Sequence, residues 1–468
     1  MKSYQNFINS QWLASQSGFL MDVINPANQE VIGQVAKSSH EDVDAAVEAA
    51  RKAFTQWKET SLQDRMAYME KIYQGLIDRQ EEIAQVIALE LGAPISFART
   101  GQVAIALKEI RATLEEIADY PFEEEVDTAR VIKEPFGVVA CITPWNYPLN
   151  QIQRKITPAL LAGNTVVVKP ASNTPLSGII YAEIIEAAGL PAGVFNLVTG
   201  SGSEVGDYLA GHPEVDVISF TGSTEVGRSL YGKAAPTIKK LVLELGGKSA
   251  MVYLPGGDLG LAVRKSMDTI LFNQGQTCSA MTRLLVPEGS LEETKALIKE
   301  RYEEKVIIGD PLDEATVIGP MVSQNQLDIV ARYLEDGIEE GAEVLLGGHI
   351  LERPGFYIEP TIFVNVDNQM KIAQEEIFGP VLCVITYKDV EEAIKIANDS
   401  PYGLSGGVVG PKDQAIKVAR HIQTGNIYIN DGPRSPKAPF GGYKQSGLGR
   451  ENGIYGVEDY LELKALFL

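Results

Sequence analysis

Apolar positions early in the chain recur every three or four residues. Ser38 with Glu41 reads as a capping box, and Val43, Ala46, Val47, Ala50, Phe54 and Trp57 follow on one helical face. A second helix is predicted from about Asp64 to Leu91, stopped by Gly92 and Pro94, and a third from about Val103 to Asp119. The pattern then changes to short continuous apolar runs. Val138–Ile142, Thr165–Lys169, Val194–Val198, Val215–Phe220 and Lys240–Glu244 read as strands. Pro148–Leu161, Pro175–Ala188, Ser203–Ala210 and a segment opening at Thr224 read as the helices between them. Such alternation predicts an α/β fold with an open parallel sheet covered on both faces. A second mixed stretch runs from about Gly247 to Gly442. Residues 123–133 are polar and extended in character. The tail 460–468 alternates and ends apolar, which predicts a strand at a subunit contact.

The length, 468 residues, exceeds what one core organises and predicts two or three domains. Sixty-two acidic against 41 basic residues give a net charge of −21. With no basic block to offset it, that charge argues against nucleic acid or an anionic membrane as partner. No apolar run approaches the roughly 20 residues that span a bilayer, and the N-terminus has no signal-peptide pattern. With only three cysteines, a reducing cytoplasm is the expected location. Four scattered histidines and no CxxC or HExxH predict no metal site.

Two of the cysteines, Cys141 and Cys383, lie inside apolar runs and read as small buried hydrophobes. Cys278 differs: it follows Gly275-Gln276-Thr277 and precedes Ser279, so its thiol is reachable and donors surround it. Four further polar, Gly- and Pro-rich stretches follow predicted strands: 143–148, 169–172, 220–227 and 244–248. On an open parallel sheet these would converge on one crevice. Each has an ordinary reading beside a chemical one. Gly222-Ser223 opens a helix, as a phosphate site or as a plain N-cap. Gly200-Ser201-Gly202 is a similar loop. Lys169 ends a strand, facing a phosphate or ribose or simply solvent. Glu244 ends another, as a general base with a raised pKa or as an ion-paired cap. Asn146 is an oxyanion donor or a turn former. The GxGxxG dinucleotide fingerprint with its downstream acid is absent.

Taken together, the chain resembles the aldehyde dehydrogenase superfamily over nearly its whole length. The resemblance rests on Pro144-Trp145-Asn146-Tyr147-Pro148, Lys169-Pro170-Ala171, Phe220-Thr221-Gly222-Ser223, Leu243-Glu244-Leu245-Gly246-Gly247-Lys248, Gly275-Gln276-Thr277-Cys278, Glu375-Glu376-Ile377-Phe378-Gly379-Pro380, and residues 439–447, Pro-Phe-Gly-Gly-Tyr-Lys-Gln-Ser-Gly, in that order. It implies a cofactor domain over 1–120 and 136–246, a catalytic domain over 247–447, and a small β extension for oligomerisation over 121–135 and 448–468. It implies Cys278 as nucleophile, Glu244 as the base for the hydrolytic water, and Asn146 with the Cys278 N–H as oxyanion hole. Lys155 and Glu451 match positions that assist proton movement. The cofactor, NAD or NADP, is implied to meet Lys169 and Glu376 at its ribose hydroxyls, Ser223 at its pyrophosphate and Phe378 at its nicotinamide. Thr143, Trp145, Ser172, Gly202, Phe220, Val226 and Leu245 complete that cofactor set. The implied reaction oxidises an aldehyde to a carboxylic acid through a thiohemiacetal and a thioester. A homodimer or homotetramer is implied as well.

Individual residues refine the expectation. Relatives strict for NAD carry Glu where this chain has Ser172, so NADP is expected to be accepted. Arg154 matches an arginine that binds the substrate carboxylate in semialdehyde dehydrogenases, but their second arginine corresponds to Phe272 here, and Arg154 reads equally as pointing to solvent or pairing elsewhere. Phe272, Tyr147 and Met281 are therefore expected to line an apolar pocket for a medium-length aliphatic or aromatic aldehyde. CoA-acylating relatives lack the glutamate found here as Glu244, which argues against acyl transfer to CoA. A cysteine hydrolase would need a histidine near the loops, and a non-catalytic protein would be expected to have lost Cys278, Glu244 or Asn146.

Overall fold

In the computed structural model, which describes residues 2–468, the five apolar runs form one parallel sheet. Across it lie Lys240–Glu244, Val217–Thr221, Val138–Ile142, Thr165–Lys169 and Phe195–Leu197. Alternate residues point to opposite faces, as the pleat demands. Val139, Cys141, Val166 and Val168 enter one core, and Val138, Ala140, Ile142 and Val167 the other. Because both faces are covered, the strands read as continuous apolar runs. The chain winds outward from Val138–Ile142 in one direction, then returns to add Val217–Thr221 and Lys240–Glu244 on the other side. The reversal opens a crevice beyond the carboxyl ends of Val138–Ile142 and Val217–Thr221, where ligands of such sheets bind.

A second sheet has seven strands: Glu343–Leu346, Thr361–Val364, Val381–Tyr387, Arg283–Pro287, Ala250–Tyr253, Gly406–Val409 and Tyr428–Ile429. All but the first pair in parallel. Residues 245–249 lead directly from the carboxyl end of Lys240–Glu244 to the amino end of Ala250–Tyr253. The loop holding Cys278 enters the neighbouring strand, Arg283–Pro287. A third sheet joins Glu123–Val126, Ala129–Pro135 and the tail strand Leu461–Phe467, all antiparallel. The predicted tail strand thus exists and pairs along its length within its own chain, while Leu463, Phe467 and Leu468 stay exposed.

Several boundaries differ from expectation. The residues before the first helix form short strands, including Asn6–Ile8 and Gln11–Leu13 at the edge of the first sheet. The capping box is one residue later than predicted: Ser39 accepts from Asp42 N–H, and the Asp42 carboxylate accepts from Ser39 N–H. Ser38 instead donates its hydroxyl to Asn6 Oδ1 at 2.9 Å. The long second helix is two, Leu62–Asp78 and Gln80–Leu91, broken at Arg79 (φ −108°, ψ 14°). Where one helix is expected over Ser203–Ala210, Gly202–Gly206 form a wide π-type turn that leads into a short helix, Asp207–Gly211. Among the described residues no helix is long and apolar enough to cross a membrane, and no group of three His, Cys, Asp or Glu side chains can hold a metal.

One element carries much of the site. Every residue of helix Pro148–Ala162 is buried, including Asn150, Gln151, Gln153, Arg154 and Lys155. Burying such groups is costly unless each finds a partner. Their partners define the chemistry at this end of the sheet.

Candidate active site

Cys278 borders a cavity of about 240 Å³ at the crevice. Pro144, Trp145 and Asn146 enter it from the end of Val138–Ile142, and Thr221, Gly222 and Ser223 from the end of Val217–Thr221. Leu245 and Gly246 follow Glu244, and Glu376, Ile377 and Phe378 close the far wall. Asn146 is held by a closed set of hydrogen bonds. Its Nδ2 donates to the Gln276 carbonyl at 3.0 Å. Its own carbonyl accepts from Gln102 Nε2 and Asn273 Nδ2, both at 2.9 Å. One amide proton of Asn146 stays available for a substrate oxygen. The Cys278 N–H donates to no group among the described residues. These are the two donors an oxyanion hole needs.

Charge is arranged in depth behind the thiol. Burial pushes the Cys278 thiol up to about 12, Glu376 and Glu244 push the same way, and Arg154 opposes them. Glu244, 3% exposed, has both carboxylate oxygens without a hydrogen-bond partner. Burial, and then the neighbouring Glu451, hold its carboxyl well above the usual range, against the pull of Lys155 and Arg154. Glu451 is anchored to Lys155 Nζ at 3.0 Å, and both are buried. A buried carboxyl without a hydrogen-bond partner, its pKa raised by burial and by Glu451, is suited to take up a proton during a reaction at the thiol.

The other cofactor residues named from sequence lie around the crevice in two sets. Trp145, Ser223, Leu245, Glu376 and Phe378 line the cavity itself. Ser223 caps helix Thr224–Ala234, accepting from Val226 N–H at 3.3 Å, and Val226 is exposed on its first turn. Glu376 accepts from Gly247 N–H at 3.0 Å, and burial pushes its carboxyl up to about 7. A Cβ on Gly246 would lie 2.3 Å from Glu376 Oε2, so only glycine lets the strand end pass this carboxyl. Phe378 sits at φ 57°, a rare value for an aromatic residue, and meets Trp145 edge-on at 5.2 Å. Lys169 lies under the second set. Its Nζ donates to the carbonyls of Pro170 (3.0 Å) and Gly200 (3.2 Å), and burial lowers it to about 8. Half-buried Ser172 follows Lys169 by three positions, and exposed Gly202 lies two residues beyond the Gly200 carbonyl that Lys169 holds. Thr143 and Phe220 are buried, and the Phe220 ring packs in the core under Gly222 rather than into the cavity.

Neither Met281 nor Arg154 is among the residues that line the cavity at Cys278. Met281 is buried in the second sheet's core, away from the lining of the cavity at Cys278. Arg154 is not free for a substrate, because it makes a bidentate pair with Glu109: Nε to Oε2 at 2.7 Å and Nη2 to Oε1 at 2.6 Å. Phe272 is 47% exposed and stacks on Phe97 at 5.5 Å, and Phe97 meets Tyr147 edge-on. Sequence reading missed Gln326, Ile329 and Ile377 on the cavity wall. It also missed Gln102, Asn273 and Glu109. Only the polar cluster within helix Pro148–Ala162 signalled that buried partners must exist.

A doubly wound sheet with a thiol and an unpaired carboxyl at its crevice defines an α/β enzyme. Residues 12–466 match the model of the aldehyde dehydrogenase family. Aldehyde dehydrogenase C of Pseudomonas syringae, crystallised as a cysteine-to-alanine mutant with NAD+ and octanal, is 45% identical (TM-score 0.97; 99% of this chain, 96% of that one). Indole-3-acetaldehyde dehydrogenase AldA of P. syringae, in complex with NAD+ and IAA, is 38% identical (TM-score 0.97; 100% and 97%). An aldehyde dehydrogenase of Bacillus cereus, in complex with NAD+, is 36% identical (TM-score 0.96; 100% and 96%). The chain belongs to the aldehyde dehydrogenase family.

Proposed function

We propose that the protein oxidises an aldehyde to the carboxylic acid, with NAD or NADP as acceptor, through a covalent adduct on Cys278. The observation that carries this is the meeting of Cys278, Asn146 and Glu376 on one cavity, with Glu244 unpaired behind it. The residues present fit a dinucleotide. The Thr143 and Thr221 hydroxyls are buried and unpartnered at adjacent strand ends, a helix starts at Ser223, and Lys169 is buried without a carboxylate partner. Lys169 and Glu376 would hold ribose hydroxyls, and Ser223 the pyrophosphate. Titles of solved relatives that name NAD+ support the same ligand. When bound, the dinucleotide supplies the acceptor for the hydride that the adduct gives up.

The chain's own residues do the rest. The Cys278 thiol loses its proton and its sulfur attacks the aldehyde carbon. The oxygen, now negative, meets Asn146 Nδ2–H and the Cys278 N–H. After oxidation a thioester remains, and Glu244 takes a proton from the water that cleaves it. Lys155 and Glu451 give that proton a route away from Glu244. The CoA-acylating alternative lacks support, since an unpaired buried Glu244 has its use in activating water. The division into cofactor domain 1–120 and 136–246, catalytic domain 247–447 and oligomerisation extension 121–135 and 448–468 follows this reading. The exposed Leu463 and Phe467 on the tail strand support assembly as a homodimer or homotetramer.

Glu244→Gln tests the mechanism. The variant should release about one NAD(P)H per site in a burst and then turn over roughly a hundredfold or more slowly. Normal steady-state turnover would remove Glu244 as the base and point to Glu451. The cofactor choice has its own test. Ser172 offers no carboxylate to repel a 2′-phosphate, so kcat/KM with NADP should lie within about tenfold of that with NAD. A hundredfold preference for NAD would overturn the prediction.

A further inference from the structure

Next to the base lies a charged set, Glu109, Arg154 and Arg434, to which the proposed reaction assigns no step. Glu109, 3% exposed, accepts from Arg154 Nε and Nη2, from Gln153 Nε2 at 3.0 Å and from Arg434 Nη2 at 3.0 Å. Its acceptor sites are filled. Arg154 is buried and held face to face with Glu109 by this bidentate pair, with a longer approach, 3.7 Å, to Glu451. Arg434 is different. It spends one N–H of five on Glu109, its side chain is one-third exposed, and its guanidinium carbon lies 4.8 Å from the Phe440 ring centroid. Arg154 stands at the same distance from that ring. An aromatic face fixes a guanidinium plane without consuming its donors.

The charge count leaves an excess. Arg154, Lys155 and Arg434 are linked to Glu109 and Glu451, three cations against two anions. Glu244 forms no ion pair or hydrogen bond with any of the three cations. The surplus positive charge falls on the most exposed member, Arg434. Its position is close to the chemistry. Phe440 pairs with Glu451 by reciprocal backbone hydrogen bonds, and a Cβ on Gly441 would lie 2.6 Å from Glu244 Oε1. Arg434 and Phe440 also wall a cavity of about 310 Å³. Tyr147, whose hydroxyl bonds Thr277 Oγ1 at 3.0 Å beside Cys278, feels the charges of both Arg434 and Arg154.

We infer that Arg434 receives an anionic group at the far end of the substrate, so that the aldehyde presented to Cys278 carries a carboxylate. The inference rests on the proposed reaction and deepens it. The role expected of Arg154 from sequence passes to Arg434, because Glu109 occupies the first guanidinium and leaves the second with a fork of free donors. A carboxylate matches that fork in a bidentate pair. The aromatic residues Phe97, Phe272 and Tyr147 remain as the wall for the carbon chain between the two ends.

The test uses pairs of aldehydes of equal length, one ending in a methyl group and the other in a carboxylate, over several lengths. The wild type should favour the oxo acid by tenfold or more in kcat/KM at one or more lengths, and its KM for the oxo acid should rise with salt. In Arg434→Gln the ratio of oxo acid to alkanal should fall at least tenfold, through KM rather than kcat, and Arg434→Lys should restore part of it. The ratio is taken within one protein, so loss of folded enzyme does not imitate the effect. A wild type that favours the alkanal at every length, or a ratio unchanged in Arg434→Gln, overturns the assignment of Arg434. A wild type that oxidises none of the aldehydes with either cofactor overturns the proposed reaction itself.

Discussion

Cys278→Ala is expected to lower kcat by at least a thousandfold while the protein still folds and binds NAD or NADP. Removing a covalent nucleophile from a unit of cooperating groups has cost up to about 10⁶ in kcat elsewhere. The remaining oxyanion donors have nothing to stabilise if no adduct forms. The thiol is half-buried at a cavity, so its loss empties little core and should leave the unfolding midpoint nearly unchanged. Retained cofactor binding, followed by fluorescence, would separate a chemical defect from a structural one. Turnover within tenfold of wild type would remove Cys278 from the reaction.

A second readout follows from the charge around the same atom. Burial, Glu376 and Glu244 push the Cys278 thiol up to about 12 in the free protein, against the opposing pull of Arg154. The protonated form therefore dominates at neutral pH, and only the thiolate reacts. Alkylation of the free protein by iodoacetamide should accelerate with pH through 8, 9 and 10 without a plateau. A plateau below pH 7 would mean that the thiolate is already formed, and that Arg154 and the oxyanion donors outweigh burial. The contrast with Cys141 gives an internal control. Cys141 is fully buried between strands, so it should stay unreacted while the protein is folded.

What could be read from sequence follows the range of the interactions. Strands such as Val138–Ile142 are legible because both faces are covered, so an unbroken apolar run is the only pattern that suits them. Glu244 and Lys169 are legible as strand-end charges, since the run that precedes them fixes their place. The capping box was misread by one residue because Ser38 and Ser39 each have an acid three positions on. The choice is made by Asn6, which takes the Ser38 hydroxyl from another sheet. The break at Arg79 has no glycine or proline to mark it, and the Arg79 pair with Glu183 comes from over 100 residues away. Gln326 holds the Phe378 turn through the carbonyls of Ile377 and Phe378, again a contact with no local signature. The least legible feature is the Arg154–Glu109–Arg434 set, whose members are 45 and 325 residues apart. Helix Pro148–Ala162 gives the only hint, six polar residues where burial on every side allows none without partners.

That set carries the largest stability effect expected in the molecule. Glu109→Ala should destabilise the protein by about 3–5 kcal/mol, because breaking a buried ion pair from one side leaves the other charge desolvated and unpaired. Arg154, 6% exposed, would keep the Phe440 ring but only one carboxylate, Glu451 at 3.7 Å, which Lys155 already occupies. The pH dependence has a definite sign. Burial alone would raise the Glu109 carboxyl, but Arg154 and then Arg434 outweigh it and hold it below the usual range. A depressed carboxylate contributes stability that is present above its unfolded pKa and lost as pH falls through the folded one. The gap between wild type and Glu109→Ala should therefore be widest near pH 7 and narrow below about pH 4.5. Urea unfolding at both pH values measures it. The double variant Glu109→Leu with Arg154→Met should recover most of the loss, since a packed apolar pair can replace a buried ionic one. It would do so without restoring activity if Arg154 also helps to hold Glu451 in place. A loss under about 0.5 kcal/mol in Glu109→Ala, the range of ordinary surface substitutions, would mean that solvent reaches Arg154 and that the set is less enclosed than its geometry implies.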